Sequence, residues 1–418
     1  MILLKEFTIA KTNKVNIPFS PPYIDQDVLD EVMNTLQSGW ITTGPKVKAL
    51  EQLSAEIAGV QHALCVNSWT SGALLVLKWL GLQDEDEVII PAYTYSATAL
   101  AVLHSGGIPV MVDIKEDFTI DPEKLAAAIT PKTKAIITVD VAGWPCDYNH
   151  INNILQQDSV KQIFTATSDV QEKLGRPLLI ADAAHSFGAT YMGKPATLGA
   201  DITIFSLHAV KNITTAEGGV IALNLPAGFD NEETYKWMRL NAMNGQTADA
   251  FTKTQKGNWR YDIVSDGLKI NLTDVCAAIG LAQMRKYKTQ LLPDRKRVFD
   301  HYSRFFKNKG WAIMPPSKDA DRESSYHLFL LRIKDITEVQ RDSIIQLVAE
   351  AGAATNVHFV PMPMLTLFKQ KGYDIANYPQ AYDNYHNEIS LPIYSQLTDE
   401  QCTFIEEQIE KAYIAVVK

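Results

Sequence analysis

Apolar positions recur at two different periods along this chain, and the change from one to the other divides it. In DQDVLDEVMNTLQSG, residues Val28, Leu29, Val32, Met33 and Leu36 share one helical face, and Gly39 offers a stop. In GPKVKALEQLSAEIAG, residues Val47, Leu50, Leu53 and Ile57 repeat in the same way between Pro45 and Gly59. From residue 63 short apolar runs take over: ALCV (63–66), EVIIPA (87–92), PVMVDI (109–114), AIITVDV (135–141), LLIADA (178–183), ITIFSL (202–207) and GVIALN (219–224). Several are continuous rather than alternating, as expected of strands buried on both faces. Helix-length segments such as GALLVLKWLGL and PEKLAAAI separate them. The pattern predicts an α/β domain with a mainly parallel, seven-stranded sheet flanked by helices.

Between the fourth and fifth runs, QQDSVKQIFTATSDVQEKLGRP is too long for an ordinary connection and predicts a helix plus a surface excursion. After residue 225 the texture changes to a helical NEETYKWMRLNAM and then the polar stretch GQTADAFTKTQKGN. Helical patterns over 275–287 and 295–306 follow, then a strand-like HLFLLRI, an amphipathic DSIIQLVAEAG and a final helix. This predicts a large domain over residues 1–250 and a smaller C-terminal α+β domain over 251–418.

Composition narrows the classes of function. A core-forming 46% of residues are hydrophobic, which sets aside disorder. The 39 basic against 48 acidic residues leave a net charge of −9 with no basic block, which argues against a nucleic-acid partner. Cys65, Cys146, Cys276 and Cys402 lie too far apart in sequence for a CxxC pair and read as reduced core thiols. The N-terminal MILL is too short for a signal peptide and no run is long enough to span a membrane, so the expected location is the cytoplasm.

The densest chemistry lies in ADITIFSLHAVKNITTAEGGVIALN. A buried strand ends in Ser206 and His208, presents Lys211, and Glu217, Gly218 and Gly219 precede the next run. Ligands of α/β sheets sit just past strand ends, and a desolvated lysine there becomes nucleophilic toward an aldehyde. Taken alone, Lys211 reads first as an exposed, solvated loop lysine, and its context is what points to chemistry. The preceding strand ends in Asp182 among apolar and small residues, where a carboxylate needs a cationic partner. The protonated ring nitrogen of pyridoxal 5′-phosphate (PLP) would be one, and an aspartate there makes that ring a better electron sink. His185 could orient Asp182, touch such a cofactor, or be a structural histidine. No Cys, His or carboxylate cluster completes a metal set with Asp182 and His185. In VNSWTSGALLVLKWL, residues Ser68, Thr70, Ser71 and Gly72 stand between a strand and an apolar helix, as a phosphate cradle or as an ordinary helix cap. Neither a GxxxxGK[ST] nor a GxGxxG loop is present. Tyr93 and Tyr95, after the second strand, are candidates to stack on a ring, with core packing the alternative for either.

Together these segments resemble the PLP-dependent nucleotide-sugar aminotransferases of the DegT/StrS type, within the fold type I aminotransferases. The resemblance runs through SGWITTGPKVKALE, NSWTSGAL, PAYTY, DAAH, FSLHAVK with its following EGG, GLKINLTDVCAAIGLAQM, SYHLFLL and VHFVP, nearly the whole chain. Its specific part is Ser-x-His-x-x-Lys followed by EGG with DAAH upstream. It implies Lys211 as the lysine that carries PLP as a Schiff base, Asp182 as the partner of the ring nitrogen, and Tyr95 stacked on the ring. It also implies Thr70, Ser71 and Ser206 on the phosphate and His185 beside the cofactor. Asn271 would reach the phosphate of a neighbouring subunit, which makes the protein an obligate homodimer with shared sites. His327 and His358 would meet the sugar nucleotide by motif position, and Lys269 and Arg260 its diphosphate. The implied reaction moves an amino group from an amino acid, glutamate by resemblance, to a nucleotide-linked keto-sugar. The usual position in the family is C4 of a 4-keto-6-deoxy hexose, for polysaccharide or glycan amino-sugar synthesis.

Three departures bear on the sugar side. Trp69 stands where the family usually has glycine, Ala216 where it has the first glycine of GEGG, and Pro363 where it has a second histidine. Relatives that replace the lysine by histidine act as dehydratases, so Lys211 favours transamination. Two other readings remain at this point: a PLP enzyme aminating or dehydrating a different sugar or cyclitol ketone, and a non-catalytic sensor or scaffold.

Overall fold

The structure, a computed structural model, describes residues 15–247 and 260–418. All seven apolar runs form strands of one sheet: β1 (His62–Val66), β2 (Glu87–Pro91), β3 (Ile108–Val112), β4 (Thr133–Val139), β5 (Leu178–Asp182), β6 (Ile202–Ser206) and β7 (Gly219–Leu223). Their order is β1, β7, β6, β5, β4, β2, β3. Five strands, β2 through β6, run parallel, and β7 is antiparallel to both of its neighbours. The continuous apolar runs follow from burial on both faces. In β2, Val88 and Ile90 join a core with Trp69, Leu75 and Val102, while Ile89 joins another with Ile151 and Leu155 on the opposite side.

Helices α1 (Gln26–Gln37), α2 (Pro45–Ala58) and α3 (Trp69–Leu80) fall where the helical period places them, and a further helix, α4 (Ala97–His104), follows β2. The polar stretch after β4 holds two short helices, Asp158–Ile163 and Asp169–Leu174, in place of one. The expected apolar face of α1 is only partly buried. Val28 is 2% exposed, but Leu29, Met33 and Leu36 are 54%, 53% and 49% exposed. What ties α1 to the chain is largely polar: Lys286 reaches Asp25 at 2.6 Å and Arg285 reaches Glu31 at 2.7 Å.

The division at 250 and 251 lies outside the described residues. Beyond it, the helix Asp274–Lys286 packs on α1 and α2, and Leu272, Ala277 and Met284 share a core with Val47, Leu50 and Ile57. The remaining chain builds a second, three-stranded sheet from Ala312–Ile313, Phe329–Ile333 and Glu388–Leu391. Helices Leu292–Phe306, Glu338–Ala351 and Asp399–Val417 pack around a core that includes Phe299, Phe329, Ile344 and Ile405. All four cysteines are free thiols, three of them buried. Among the described residues no helix is long and apolar enough to cross a membrane.

Candidate active site

Asp182 ends β5, and Lys211 follows the end of the adjacent strand β6, so both arrive at the carboxyl edge of the parallel sheet. They line one cavity of about 460 Å³. Its walls come from the start of α3, residues 94–98, the end of β5, the loop after β6, and His358 with Phe359.

The backbone fixes Lys211 on both sides. Its N–H donates to the His208 carbonyl at 2.9 Å, and the next residue, Asn212, is buried with its amide donating to the Ser325 carbonyl at 2.9 Å. The Thr215 N–H and the Thr214 hydroxyl both return to the Leu207 carbonyl, at 2.9 and 3.1 Å. Burial lowers the Lys211 ammonium to about 8, against the pull of Asp182. Burial raises the Asp182 carboxyl to about 7, offset by hydrogen bonds and by Lys211. Asp182 accepts from the Ala184 N–H at 3.2 Å and from the Thr98 hydroxyl at 3.0 Å. A carboxylate accepts about four hydrogen bonds, so this one has capacity left toward the cavity.

At the start of α3 the Ser68 hydroxyl caps the helix, accepting from the Ser71 N–H at 3.0 Å and donating to Ser71 Oγ at 2.8 Å. Thr70 and Ser206 line the cavity beside it; Ser71 sits one position behind, against Ser68. Of the two tyrosines, Tyr93 is a core residue whose hydroxyl donates to the His358 carbonyl at 2.6 Å. Tyr95 lines the cavity, 64% exposed, its ring 6.1 Å from Phe359.

Three histidines gather on the other side. His185 lines the cavity, stacked on Phe359, and its Nδ1 accepts from the Ala142 N–H at 3.2 Å. Burial, then the Lys211 charge, holds it neutral, with its titration well below the usual histidine range. His327 does not line the cavity. It is buried behind His185, ring centres 4.3 Å apart, with Nδ1 donating to Asn212 Oδ1 at 2.8 Å. His358 lines the cavity, with burial and then Lys211 lowering it to about 3.

Asn271 and Lys269 lie away from these walls. The Lys269 ammonium donates to Asn271 Oδ1 at 2.7 Å, and the Asn271 amide to Thr43 Oγ1 at 2.6 Å, beside the end of β1. Arg260 is exposed. Thr98 and Phe359 also line the cavity, and the sequence singles out neither for the site. Thr98 meets Asp182 across 84 residues of chain, and no local pattern marks that pairing.

The model of the DegT/DnrJ/EryC1/StrS aminotransferase family matches residues 22–410. The chain belongs to that family. It is 33% identical over 398 residues to the spore coat polysaccharide biosynthesis protein SpsC of Bacillus subtilis (strain 168), covering 94% of this chain and 96% of that one. It is 34% identical over 400 residues to protein MJ1066 of Methanocaldococcus jannaschii, covering 94% and 97%. Among solved structures it is similar to the putative sugar aminotransferase Spr1654 of Streptococcus pneumoniae in its PMP form. There the TM-score is 0.92 with 42% identity, covering 96% of this chain and all of that one; the PLP form gives 0.91. The protein is therefore an aminotransferase of fold type I, and its cofactor is PLP. The site fits that group on its own terms. A buried carboxylate with spare acceptor capacity faces a lysine largely neutral above about pH 8, across a cavity that also meets a helix N-terminus.

Proposed function

We propose that this aminotransferase carries an amino group from L-glutamate to the ketone of a nucleotide-linked keto-sugar, most directly C4 of a 4-keto-6-deoxy hexose. The product would be an amino sugar for polysaccharide or glycan synthesis. The observation that carries the reading is the pairing of Lys211 with Asp182 across one cavity. Its sugar side is supported by the likeness to Spr1654 and SpsC.

In this reading Lys211 holds the cofactor and Asp182 accepts from its ring nitrogen. Thr70, Ser206 and the free N–H groups at the start of α3 take the phosphate, with Ser71 contributing from behind Ser68. Tyr95 covers one face of the ring and His185 borders the other groups of the site. Bound there, PLP supplies a ring that draws electrons from the carbon losing its proton. Lys211 moves that proton, being a base of the right strength near neutral pH. Asp182, when ionised, favours a protonated ring nitrogen. Phe359, Val139 and Ala184 give the cavity apolar walls that limit water near Lys211. His358 meets the sugar, and His327 supports His185 from behind. Asn271, Lys269 and Arg260 serve the nucleotide and phosphate groups across a homodimer, consistent with the place of Asn271 and Lys269 outside this cavity's walls.

The test is the visible absorbance of the purified protein with PLP, before and after L-glutamate, for wild type and Lys211→Ala. The expected result is a band that needs Lys211 and is bleached by glutamate, followed by turnover of one member of a panel of nucleotide keto-sugars. No Lys211-dependent band would sink the assignment of Lys211; a band indifferent to glutamate would rule out that donor.

A further inference from the structure

His358 has four polar groups, and three of them are committed inside the protein. Its backbone N–H donates to Glu388 Oε2 at 3.0 Å, its carbonyl accepts from Tyr93 Oη at 2.6 Å, and its Nδ1 lies 2.8 Å from Ser390 Oγ. Ser390 Oγ in turn lies 2.6 Å from Glu388 Oε1. Phe19 stacks on the imidazole with ring centres 5.4 Å apart, which fixes its plane. The fourth group, Nε2, makes no hydrogen bond among the described residues, on a ring that lines the Lys211 cavity. Glu388 and Ser390 are completely buried.

A serine hydroxyl has one proton and can give it to one neighbour at a time. With Glu388 ionised, Ser390 donates to Oε1 and accepts from Nδ1–H, so Nε2 shows the cavity a lone pair. With Glu388 protonated on Oε1, both hydrogen bonds reverse: Glu388 donates to Ser390, Ser390 donates to Nδ1, and the proton of the ring sits on Nε2. Oε2 accepts the His358 N–H in both states, so the proton has one place on Glu388 to go. We propose that His358, Ser390 and Glu388 form a proton relay whose outer end, Nε2, opens into the cavity and whose inner end is the buried Glu388 carboxylate.

The step balances. An amino donor arrives as an ammonium and must lose a proton to react. That proton joins Nε2 while the Nδ1 proton passes to Ser390 Oγ and the Ser390 proton to Glu388 Oε1. One ammonium becomes an amine, one carboxylate becomes an acid, and the imidazole stays neutral. The groups around the inner end are Arg341 from the helix Glu338–Ala351, Arg332 from the strand Phe329–Ile333, Tyr93 after β2, and His358 itself. Burial lifts Glu388 to about 8 against the pull of its hydrogen bonds and of both arginines. His358 is lowered to about 3, so the carboxylate, rather than the imidazole, stores the proton.

The inference rests on the cavity being the reaction site, and its test separates the two. The PLP-loaded protein labelled with 15N-histidine is examined by NMR from about pH 6 to about pH 10, the His358 signal being identified by its loss in His358→Gln. The expected result is a change from the Nε2–H to the Nδ1–H tautomer as pH rises through about 8. Glu388→Gln should lock Nε2–H throughout, because its Oε1 is taken by the His358 N–H and its amide must donate to Ser390. Ser390→Ala should abolish the pH response, and serves if Glu388→Gln fails to fold. Glutamate-driven bleaching of the cofactor band should slow about tenfold in Glu388→Gln at about pH 9, where wild-type Glu388 is ionised and Nε2 is free to accept the proton. A wild-type tautomer that does not change with pH, or a Glu388→Gln protein that titrates like wild type, overturns the relay. Absence of any PLP band in wild type instead overturns the functional reading and leaves the NMR result to judge the relay by itself.

Discussion

At the scale of single residues the site is defined by two groups held away from their ordinary ionisation. Lys211, lowered to about 8 by burial, should take up PLP faster as pH rises, because only the free amine attacks an aldehyde. Stopped-flow absorbance should give a loading rate with a midpoint near that value, and Lys211→Ala should reduce transamination by about 10³-fold or more. Asp182 carries the opposite shift. Its folded carboxyl is raised from 3.8 to about 7, so between those values the folded cofactor-free protein binds more protons than the unfolded chain. Stability therefore falls as pH rises through that window. Asp182→Asn, which removes the buried charge, should raise the melting temperature of the cofactor-free protein, more at pH 8 than at pH 4, by up to a few kcal/mol of stability. The same change should slow turnover by about 10²-fold, since the ring nitrogen loses its anionic partner. Thermal melts at the two pH values with and without PLP check both halves of this expectation.

At the scale of elements, the cavity depends on how closely β7 passes the start of α3. A Cβ on Gly219 would lie 2.7 Å from the backbone carbon and oxygen of Ser68 and 2.8 Å from the Trp69 nitrogen, distances that backbone atoms cannot yield cheaply. Gly219→Ala should thus destabilise the fold by on the order of 1–3 kcal/mol and weaken PLP binding, by displacing the turn that carries Ser68 and Thr70. Equilibrium unfolding together with PLP titration by absorbance measures the two effects. Elements of this kind were legible in sequence because each carries a local signal. The strands announce themselves as continuous apolar runs, α3 by its Ser68 cap, and Lys211 by its place just past a buried strand. What was not legible depends on contacts made at long range. Thr98 and Asp182 meet only when α4 crosses the end of β5, and Ser390 and Glu388 meet His358 only when the second sheet forms. The helical period also marks an apolar face on α1 without saying whether the same chain covers it.

At the scale of the molecule, that uncovered face becomes an argument about assembly. Leu29, Met33 and Leu36 lie on one side of α1, all about half exposed, with Ile24 and Ile41 exposed at 45% and 53% on either side of the helix. A row of large apolar side chains in water is costly unless a partner surface removes it. The helix is already anchored to its own chain through Asp25, Asp27 and Glu31, which pair with Lys286 and Arg285. Its apolar side is therefore not needed to hold it in place. A homodimer that buries this side would also account for Asn271 and Lys269, which stand outside the Lys211 cavity of their own chain and are held to each other. The double change Leu29→Glu and Met33→Glu places like charges on that surface while leaving Val28 and the ion pairs in place. It should convert the protein to monomers by light scattering, with native far-ultraviolet circular dichroism and a loss of PLP retention of about tenfold or more. Retained dimers with unchanged cofactor binding would show that α1 lies outside the interface and would point instead to Tyr261, Ile263 and Val264, a further exposed apolar group among the described residues.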